Sequence, residues 1–368
     1  VLNFWLAKGV RGFRFDVINV IGKSEVLVDD ETENGGKFLY TDTPIVQDYI
    51  QEMNAATFGK YPDVITVGEL SSTTVQNTAA YTNPDNKALS MGFNFHHLKV
   101  DYDHGNKWTK VPYDFESLRH IWHEWSQGLM ENHGWPAWFW NNHDQPRAIN
   151  RFIKTPKYYR VGAKMLAMLV HLNRGTPYVY MGAEIGMIDP TYHKIETYVD
   201  VESKNAYQML LKQGLTKQQA FEIVQTKSRD NSRVPMQWRN EDYAGFSTHE
   251  PWLQNANYEQ INVAQDEKSA DSLYAFYQNL IRLRQENEVI ADGDYTPKYE
   301  ESEEIIAFER QLAGKHILVV THFGETPVSI SISDEIVKNG QVLVTNYPAQ
   351  PVSGTMLLKP YESFAIAY

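Results

Sequence analysis

The 368-residue sequence contains no cysteine, and its basic side chains are outnumbered, with 34 Lys and Arg against 46 Asp and Glu. Without cysteine there is no disulfide framework, thiolate metal ligand or thiol nucleophile, which fits a reducing compartment such as the cytoplasm. The net charge of −12 excludes a nucleic-acid binder held by bulk charge. Apolar runs stay well short of the roughly 20 residues that span a bilayer. A Gly-rich phosphate loop and a zinc motif are also missing. The hydrophobic content of 42% therefore predicts a folded, soluble protein that acts without a membrane or nucleic acid.

The sequence begins inside a helical pattern. Residues 1–8 read as a helix closed by Gly9 as its C-terminal cap, yet neither an initiator Met nor an N-cap precedes them. We therefore expect a fragment of a longer protein. The lack of a targeting segment then carries no weight, because such a segment would lie upstream.

Short apolar strands alternate with helical patterns through the first half of the chain. The predicted strands are 12–17, 64–68, 89–95, 138–141 and 177–180, and the predicted helices include 44–58, 115–127 and 157–172. This alternation indicates parallel strands with right-handed crossovers. Polar and charged residues cluster just past the strands, where barrel active sites are built. We expect an α/β fold in which residues 1–288 form strands 4 to 8 of a (β/α)8 TIM barrel, with the first three units upstream.

The rest of the chain changes character twice. A long excursion over about 189–265 contains one helix pair around 202–226, and an amphipathic helix follows at 272–287. From residue 289 the pattern has period two with turn residues between the runs, and no helix longer than a turn is expected there. Residues 289–368 are therefore predicted to form a small all-β sandwich domain.

Three acids occupy similar positions: Asp16, Glu69 and Asp144 each follow a predicted strand. The strand ends of a parallel barrel converge on one face, so these acids can meet. Each acid alone is also explained as a helix-capping residue. Together they match glycoside hydrolysis, which needs one attacking carboxylate and one carboxylic acid. Arg14 projects on the same side as Asp16 and keeps it ionised, whereas the apolar strand before Glu69 favours the protonated form of that acid.

Three segments are recognisable. Gly-Phe-Arg-Phe-Asp-Val-Ile at 12–18, Gly-Glu at 68–69 and Phe-Trp-Asn-Asn-His-Asp-Gln-Pro-Arg at 139–147 resemble, in order and spacing, signature segments of the α-amylase superfamily, glycoside hydrolase family 13. Segment 227–238 resembles the hallmark of the oligo-1,6-glucosidase group within it. The resemblance covers essentially the whole chain. One departure is Ala183, where the family usually carries an acid.

The resemblance implies a role for each acid. Asp16 would be the nucleophile of a retaining double displacement, Glu69 the general acid/base, and Asp144 the carboxylate that grips sugar hydroxyls in the transition state. Arg14 would hold Asp16, and His143 would donate to a hydroxyl of the same ring. No cofactor is implied, although some relatives have a calcium site that upstream units would supply here. The residues expected to bind the substrate are Arg14, His143 and Arg147.

The substrate expectation rests on segments 68–74, 90–102 and 107–108, which are closer to the members that hydrolyse trehalose 6-phosphate. It also rests on Val17, which resembles exo-acting members. Lys99 and Lys107, with Lys110 nearby, lie in a strand-following loop and could hold a phosphate group by charge-assisted hydrogen bonds. Alternatively these lysines are merely solvated, above all Lys110, which no motif supports. We expect a retaining exo-α-glucosidase that acts on trehalose 6-phosphate. The alternatives are an oligo-1,6-glucosidase or dextran glucosidase acting on isomalto-oligosaccharides, and an inactive fragment of either. The oligomeric state stays open.

Overall fold

A parallel β-sheet forms the centre of the first part of the chain. The structure, a computed structural model, describes residues 1–31, 35–254 and 257–368. The strands of this sheet are β1 (Gly12–Phe15), β2 (Ile65–Glu69), β3 (Met91–Phe93), β4 (Pro136–Trp138) and β5 (Thr176–Pro177). They lie side by side in chain order and every pair is parallel. This is the arrangement of successive units of a (β/α)8 barrel, so the carboxyl ends of all five strands lie along one edge.

Helices connect these strands. They are α1 (Leu2–Ala7), α2 (Pro44–Ala56), α3 (Val75–Thr82), α4 (Phe115–Glu131), α5 (Ala148–Phe152) and α6 (Tyr159–His171). Local sequence sets several of their ends. Asp114 caps α4 by accepting a hydrogen bond from the main-chain N–H of Ser117, and Pro44 occupies the first turn of α2. Gly9 follows α1 with a φ of 92°, a conformation that favours glycine.

Aromatic side chains pack beneath β4. Trp122 of α4 is fully buried and stacks on Trp138 at 4.4 Å and on Trp140 at 5.2 Å between ring centroids. His97 lies against the same rings and its Nε2 pairs with the main-chain oxygen of Phe139 at 2.7 Å. Trp138 and Trp140 thus belong to the hydrophobic core. These contacts give a rigid base to the loop that follows β4.

The excursion after β5 carries the predicted helix pair, α7 (Val201–Lys212) and α8 (Lys217–Lys227), which pack on each other and enclose a small core of their own. Residues 255–256 of the excursion lie outside the described residues. The chain then forms α9 (Val263–Asp266), α10 (Leu273–Glu286) and α11 (Glu288–Asp292). The helix predicted at 272–287 is confirmed as α10.

The C-terminal part is built mainly of antiparallel strands. They are β6 (Asp294–Lys298), β7 (Ile305–Leu312), β8 (Lys315–His322), β9 (Val328–Ser331), β10 (Gln341–Thr345), β11 (Thr355–Leu358) and β12 (Ser363–Ala367). One sheet has the order β10-β12-β8-β7-β6, and β11 pairs with β9 in a second. The expectation of a barrel part followed by an all-β domain is confirmed as a fold class.

One expectation for this part is wrong, because a six-residue helix, α12 (Asp334–Asn339), interrupts the strands. Its sequence carries the signals that the period-two pattern concealed. The Ser333 side chain accepts a hydrogen bond from the main-chain N–H of Ile336, and Asp334 and Glu335 lie in the first turn. A serine cap followed by acids at the positive end of the helix dipole stabilises such a turn.

The two parts share a hydrophobic core. Phe308 of β7 and Val319 of β8 belong to the same buried cluster as Trp122 of α4. His123 of α4 pairs through Nδ1 with the hydroxyl of Tyr295 in β6 at 2.7 Å. The boundary placed between 288 and 289 falls at the start of α11 and stays a prediction. Within the described ranges, every helix is too short or too polar to cross a bilayer.

Candidate active site

The ends of β1 and β2 place two acids on one guanidinium group. The strands pair with Arg14 opposite Val67 and Phe15 opposite Gly68, so Asp16 and Glu69 emerge side by side. Arg14 donates from Nη1 to Oδ1 of Asp16 and from Nη2 to Oε2 of Glu69. The sequence assigned Arg14 to Asp16 alone, whereas the structure gives both carboxylates the same cationic neighbour.

The two acids differ in accessibility. The side chain of Asp16 is 72% exposed, whereas that of Glu69 is 13% exposed. Val17, directly after Asp16, has a φ of 39° in the left-handed region, which is costly for a β-branched residue. Strain of this kind clusters at functional sites, where the surrounding structure holds it. The backbone after Asp16 is therefore fixed in a conformation that its own sequence disfavours.

Asp144 follows β4 and is surrounded by nitrogen donors. Its Oδ1 lies 3.2 Å from Nη1 of Arg229 and 2.8 Å from Nη2 of Arg233, and its Oδ2 lies 3.2 Å from Nε2 of His143. Arg233 also donates from Nε to the main-chain oxygen of His143 at 2.8 Å. The loop that carries Asp144 is therefore held in place by its own partners.

Arg229 and Arg233 were missed as site residues. They lie 85 and 89 positions from Asp144 in the chain, so no local pattern joins them to it. A signal existed, since both belong to segment 227–238, which the resemblance singled out. Treating the cations of that segment as partners of Asp144 would have identified them.

A cavity of about 170 Å³ connects the two halves of the site. Arg14, His143 and aromatic rings, including Phe139 and Tyr178, line it. Both Arg14 and His143 contact predicted acids, since Arg14 holds Asp16 and Glu69 and His143 pairs with Asp144. Aromatic walls with polar neighbours suit a sugar ring, which offers hydroxyl groups and apolar faces.

Arg147 lies elsewhere, although the sequence made it a substrate-binding residue. It is 1% exposed and donates from Nη1 to the main-chain oxygen of Met181 at 2.6 Å. Its main-chain N–H donates to Asp189 at 2.7 Å, and its guanidinium lies over the ring of Tyr180. Burial raises the pKa of Asp189 to about 7, although contacts with Arg147 act in the opposite direction. The structure thus places Arg147 under the site as a support for Tyr180, which lines the cavity.

The three lysines proposed for phosphate have different surroundings. Lys107 is 15% exposed and lies 3.2 Å from Oε2 of Glu202, and Lys110 is paired with Glu222 at 2.8 Å. Lys99 is exposed, at the end of the turn that follows β3. Desolvation and then the nearby Lys37 ammonium lower the pKa of Lys99. Lys37 is a second cation at this place that the sequence analysis did not identify.

The described residues offer no evident site for a bound metal ion. Over residues 1–31, 35–254 and 257–368, His, Asp and Glu side chains form no cluster of three suited to a metal ion. The adjacent His96 and His97 do not share a site, since His96 stacks on Trp125 and His97 is buried against other rings. The expectation that no cofactor is needed stays a prediction.

Known proteins resemble this chain along almost its whole length. The family model for the alpha-amylase catalytic domain matches residues 1–293. The chain is 41% identical over 367 residues to trehalose-6-phosphate hydrolase of Bacillus subtilis strain 168, covering 99% of this chain and 65% of that protein. It is 37% identical over 377 residues to oligo-1,6-glucosidase of Bacillus cereus, covering 99% of this chain and 66% of the relative.

A solved structure agrees. The crystal structure of Bacillus licheniformis trehalose-6-phosphate hydrolase superposes with a TM-score of 0.94 at 42% identity, covering 99% of this chain and 66% of that one. The chain thus spans about two thirds of the length of the proteins it matches. The likeness extends across both the parallel sheet and the C-terminal β-sheets.

Proposed function

Because the chain belongs to the alpha-amylase family, we propose that the protein containing it is a retaining exo-α-glucosidase that hydrolyses trehalose 6-phosphate to glucose and glucose 6-phosphate. The observation that carries the chemistry is the bridge from Arg14 to both Asp16 and Glu69, beside a cavity that Arg14 and His143 both line. Retaining enzymes hold their two carboxyl groups about 5 to 5.5 Å apart. Two carboxylates held by one guanidinium group are close neighbours, which supports a retaining mechanism.

The first step forms a covalent glucosyl–enzyme ester. Arg14 holds Oδ1 of Asp16, and in the described structure Oδ2 has no hydrogen bond and is exposed for attack on the anomeric carbon. The bond from that carbon to the bridging oxygen breaks as Glu69 gives its proton to the departing oxygen. Arg14 contacts only Oε2 of Glu69, so Oε1 is the oxygen that carries the proton. The leaving group is glucose 6-phosphate.

The second step returns the enzyme to its starting state. Glu69, now ionised, takes a proton from water as the water oxygen attacks the anomeric carbon. The ester bond to Asp16 breaks and glucose leaves with retained configuration, because the centre has been inverted twice. Asp144 accepts hydrogen bonds from hydroxyls of the ring, and Arg229 and Arg233 hold it in place.

The phosphate part of the proposal is supported by Lys99 and Lys37. Both are exposed and close enough for Lys37 to lower the pKa of Lys99, and a dianion between them relieves that repulsion. Lys107 is a weaker candidate than the sequence suggested, because its ammonium is already engaged by Glu202. The similarity to the Bacillus subtilis trehalose-6-phosphate hydrolase supports the same choice. A phosphorylated sugar of this kind is intracellular, which favours a cytoplasmic location.

The second candidate is an oligo-1,6-glucosidase acting on isomalto-oligosaccharides, favoured by the pairing of Lys107 and Lys110 with acids and by the likeness to the Bacillus cereus relative. The deciding measurement compares kcat/KM for trehalose 6-phosphate, unphosphorylated trehalose and isomaltose. We expect trehalose 6-phosphate to be turned over at least about tenfold more efficiently, the effect of one charge-assisted hydrogen bond. Equal or faster turnover of isomaltose rejects the phosphate proposal. Inactivity of residues 1–368 alone would identify the third candidate, an inactive fragment.

A further inference from the structure

A buried ionic cluster lies behind Asp144 and outside the cavity. Asp101, in the loop after β3, is 7% exposed. Its Oδ1 accepts from Nη2 of Arg151 at 2.8 Å, and its Oδ2 accepts from Nε of Arg151 at 3.2 Å and lies 2.9 Å from Nζ of Lys227. Lys227 also donates to the main-chain oxygen of Asp101 at 2.8 Å. One carboxylate therefore joins two cations from different elements, α5 and the end of α8.

These three elements are the ones that build the surroundings of Asp144. Lys227 lies two residues before Arg229 and six before Arg233, the two arginines on Asp144. Arg151 belongs to α5, which starts directly after the segment that carries Asp144 and its neighbours. The loop of Asp101, the loop of Asp144 and segment 227–233 are thus clamped together at one carboxylate.

Neighbouring contacts point the same way. The hydroxyl of Tyr102, next to Asp101, donates to Oε1 of Gln145 at 3.4 Å, and the ammonium of Lys227 lies over the Tyr102 ring. Ser232 donates to the main-chain oxygen of Gln145. Burial acts to raise the pKa of Asp101, but the charges of Arg151 and Lys227 outweigh it and hold that pKa below its usual range. The cluster therefore keeps its charges when the protein is folded.

We propose that Asp101 is a positioning residue for the reaction: through Lys227 it sets the place of Arg229 and Arg233, and through them the orientation of Asp144. Asp101 touches no part of the cavity of Arg14 and His143, so it acts only through other residues. Without its carboxylate, two buried cations face each other with no anion between them, and segment 227–233 moves to separate them. The inference rests on the proposed function only in requiring that the protein cleaves a glucoside.

The primary test is Asp101→Asn in the protein that contains this chain, which keeps the size of the side chain and removes its charge. We expect kcat to fall at least tenfold with KM changed less than threefold, because Asp144 acts on the ring in the transition state. The matched control is Asp103→Asn, two residues away, whose side chain is 54% exposed and has only His104 as an ionic neighbour among the described residues. This control should stay within twofold of the parent enzyme. An Asp101→Asn enzyme with the parent kcat overturns the proposal.

A double-mutant cycle separates positioning from general destabilisation. In an Arg233→Lys background, where the geometry around Asp144 is already disturbed, Asp101→Asn should lower kcat less than threefold further. If Asp101→Asn lowers kcat by the same factor in the parent enzyme and in the Arg233→Lys variant, the proposal is contradicted. Rates are expressed per active site, counted with a fluorinated glucosyl donor that traps the covalent intermediate, so unfolded protein does not imitate the effect.

A second pair covers the case in which Asp101→Asn is not recovered folded. Lys227→Met should show the same loss of kcat, and Lys227→Arg, which preserves the charge, should restore at least half of it on a logarithmic scale. If the kcat of Lys227→Arg is no higher than that of Lys227→Met, the inference is refuted. All rates are measured on both trehalose 6-phosphate and isomaltose. Each variant should lose kcat by the same factor on the two sugars. The phosphate proposal is instead tested by the ratio of the two rates in the parent enzyme, so its failure does not affect this test.

Discussion

The assignment of phosphate binding to Lys99 makes a quantitative prediction about substrate choice. Lys99→Met removes the ammonium and retains most of the apolar stem. The residue is exposed, and among the described residues its ammonium has no hydrogen bond or ion pair. Its titratable neighbours there are Lys37 and the ring of His96, so the substitution disturbs little in the free protein. The effect should appear only when a phosphorylated sugar is bound.

The magnitude follows from the type of bond. A hydrogen bond to a charged group contributes about 1.5 to 3 kcal/mol, and a tenfold ratio corresponds to about 1.4 kcal/mol. The ratio of kcat/KM for trehalose 6-phosphate to that for isomaltose should therefore fall by a factor of roughly 10 to 150. The kcat/KM for isomaltose, which has no phosphate, should stay within about twofold, since substitutions of exposed side chains have small effects.

Two lysines serve as controls for this prediction. Lys107→Met breaks the pair with Glu202, which also binds Arg229, so it should slow both sugars together and leave their ratio nearly unchanged. Lys110→Met removes only an exposed pair with Glu222 and should change neither rate. Steady-state kinetics on the two sugars gives all three results. If Lys107→Met shifts the ratio and Lys99→Met does not, the reasoning from exposure is wrong.

Three further predictions test the site and its base. Glu69→Gln should lower kcat for a sugar leaving group by about 10² to 10⁴ and far less for an activated aryl glucoside, and Asp16→Asn should stop covalent trapping; equal losses on both leaving groups would contradict the acid role. Burial lowers the pKa of His97 to about 3 and that of His171 to about 4. The unfolded chain therefore binds protons below pH 6.5 that the native state does not, and the free energy of unfolding should fall by about 1.4 kcal/mol per pH unit for each histidine down to about pH 4, as urea titrations at several pH values will show, whereas a flat profile would oppose this. Trp122→Ala should lower the free energy of unfolding by about 3 to 5 kcal/mol in the same assay, and a loss below 1 kcal/mol would mean that the stacked rings repack.

The sequence predicted the acids well because barrel topology converts strand ends into neighbours. Asp16 and Glu69 needed only the rule that parallel strands end on one face, and the register of β1 and β2 brings them to Arg14. The helix α12 escaped prediction because a period-two pattern hid its serine cap. Local rules thus located the strands and missed a helix of fewer than two turns.

The partners of charged side chains could not be read from the sequence. Glu202 lies 95 positions from Lys107, and nothing in either segment indicates the other. The interpretation of Lys107 as a phosphate ligand treated a lysine in an acidic chain as unpaired, whereas an acid from the excursion neutralises it. The prediction that Arg147 binds the substrate has the same weakness. Its position in the motif was clear, but only the packing shows that its guanidinium points under the cavity to Met181.

Local charge balance supports the proposal that a chain of net charge −12 binds an anionic sugar. Each catalytic carboxylate of the proposal touches a guanidinium group: Arg14 contacts two of them, and Asp144 has two arginines of its own. More distant acids are screened beyond about 8 Å at physiological salt. In the proposal, the field that a phosphate meets is therefore set by nearby cations such as Lys37 and Lys99, and not by the average charge of the chain.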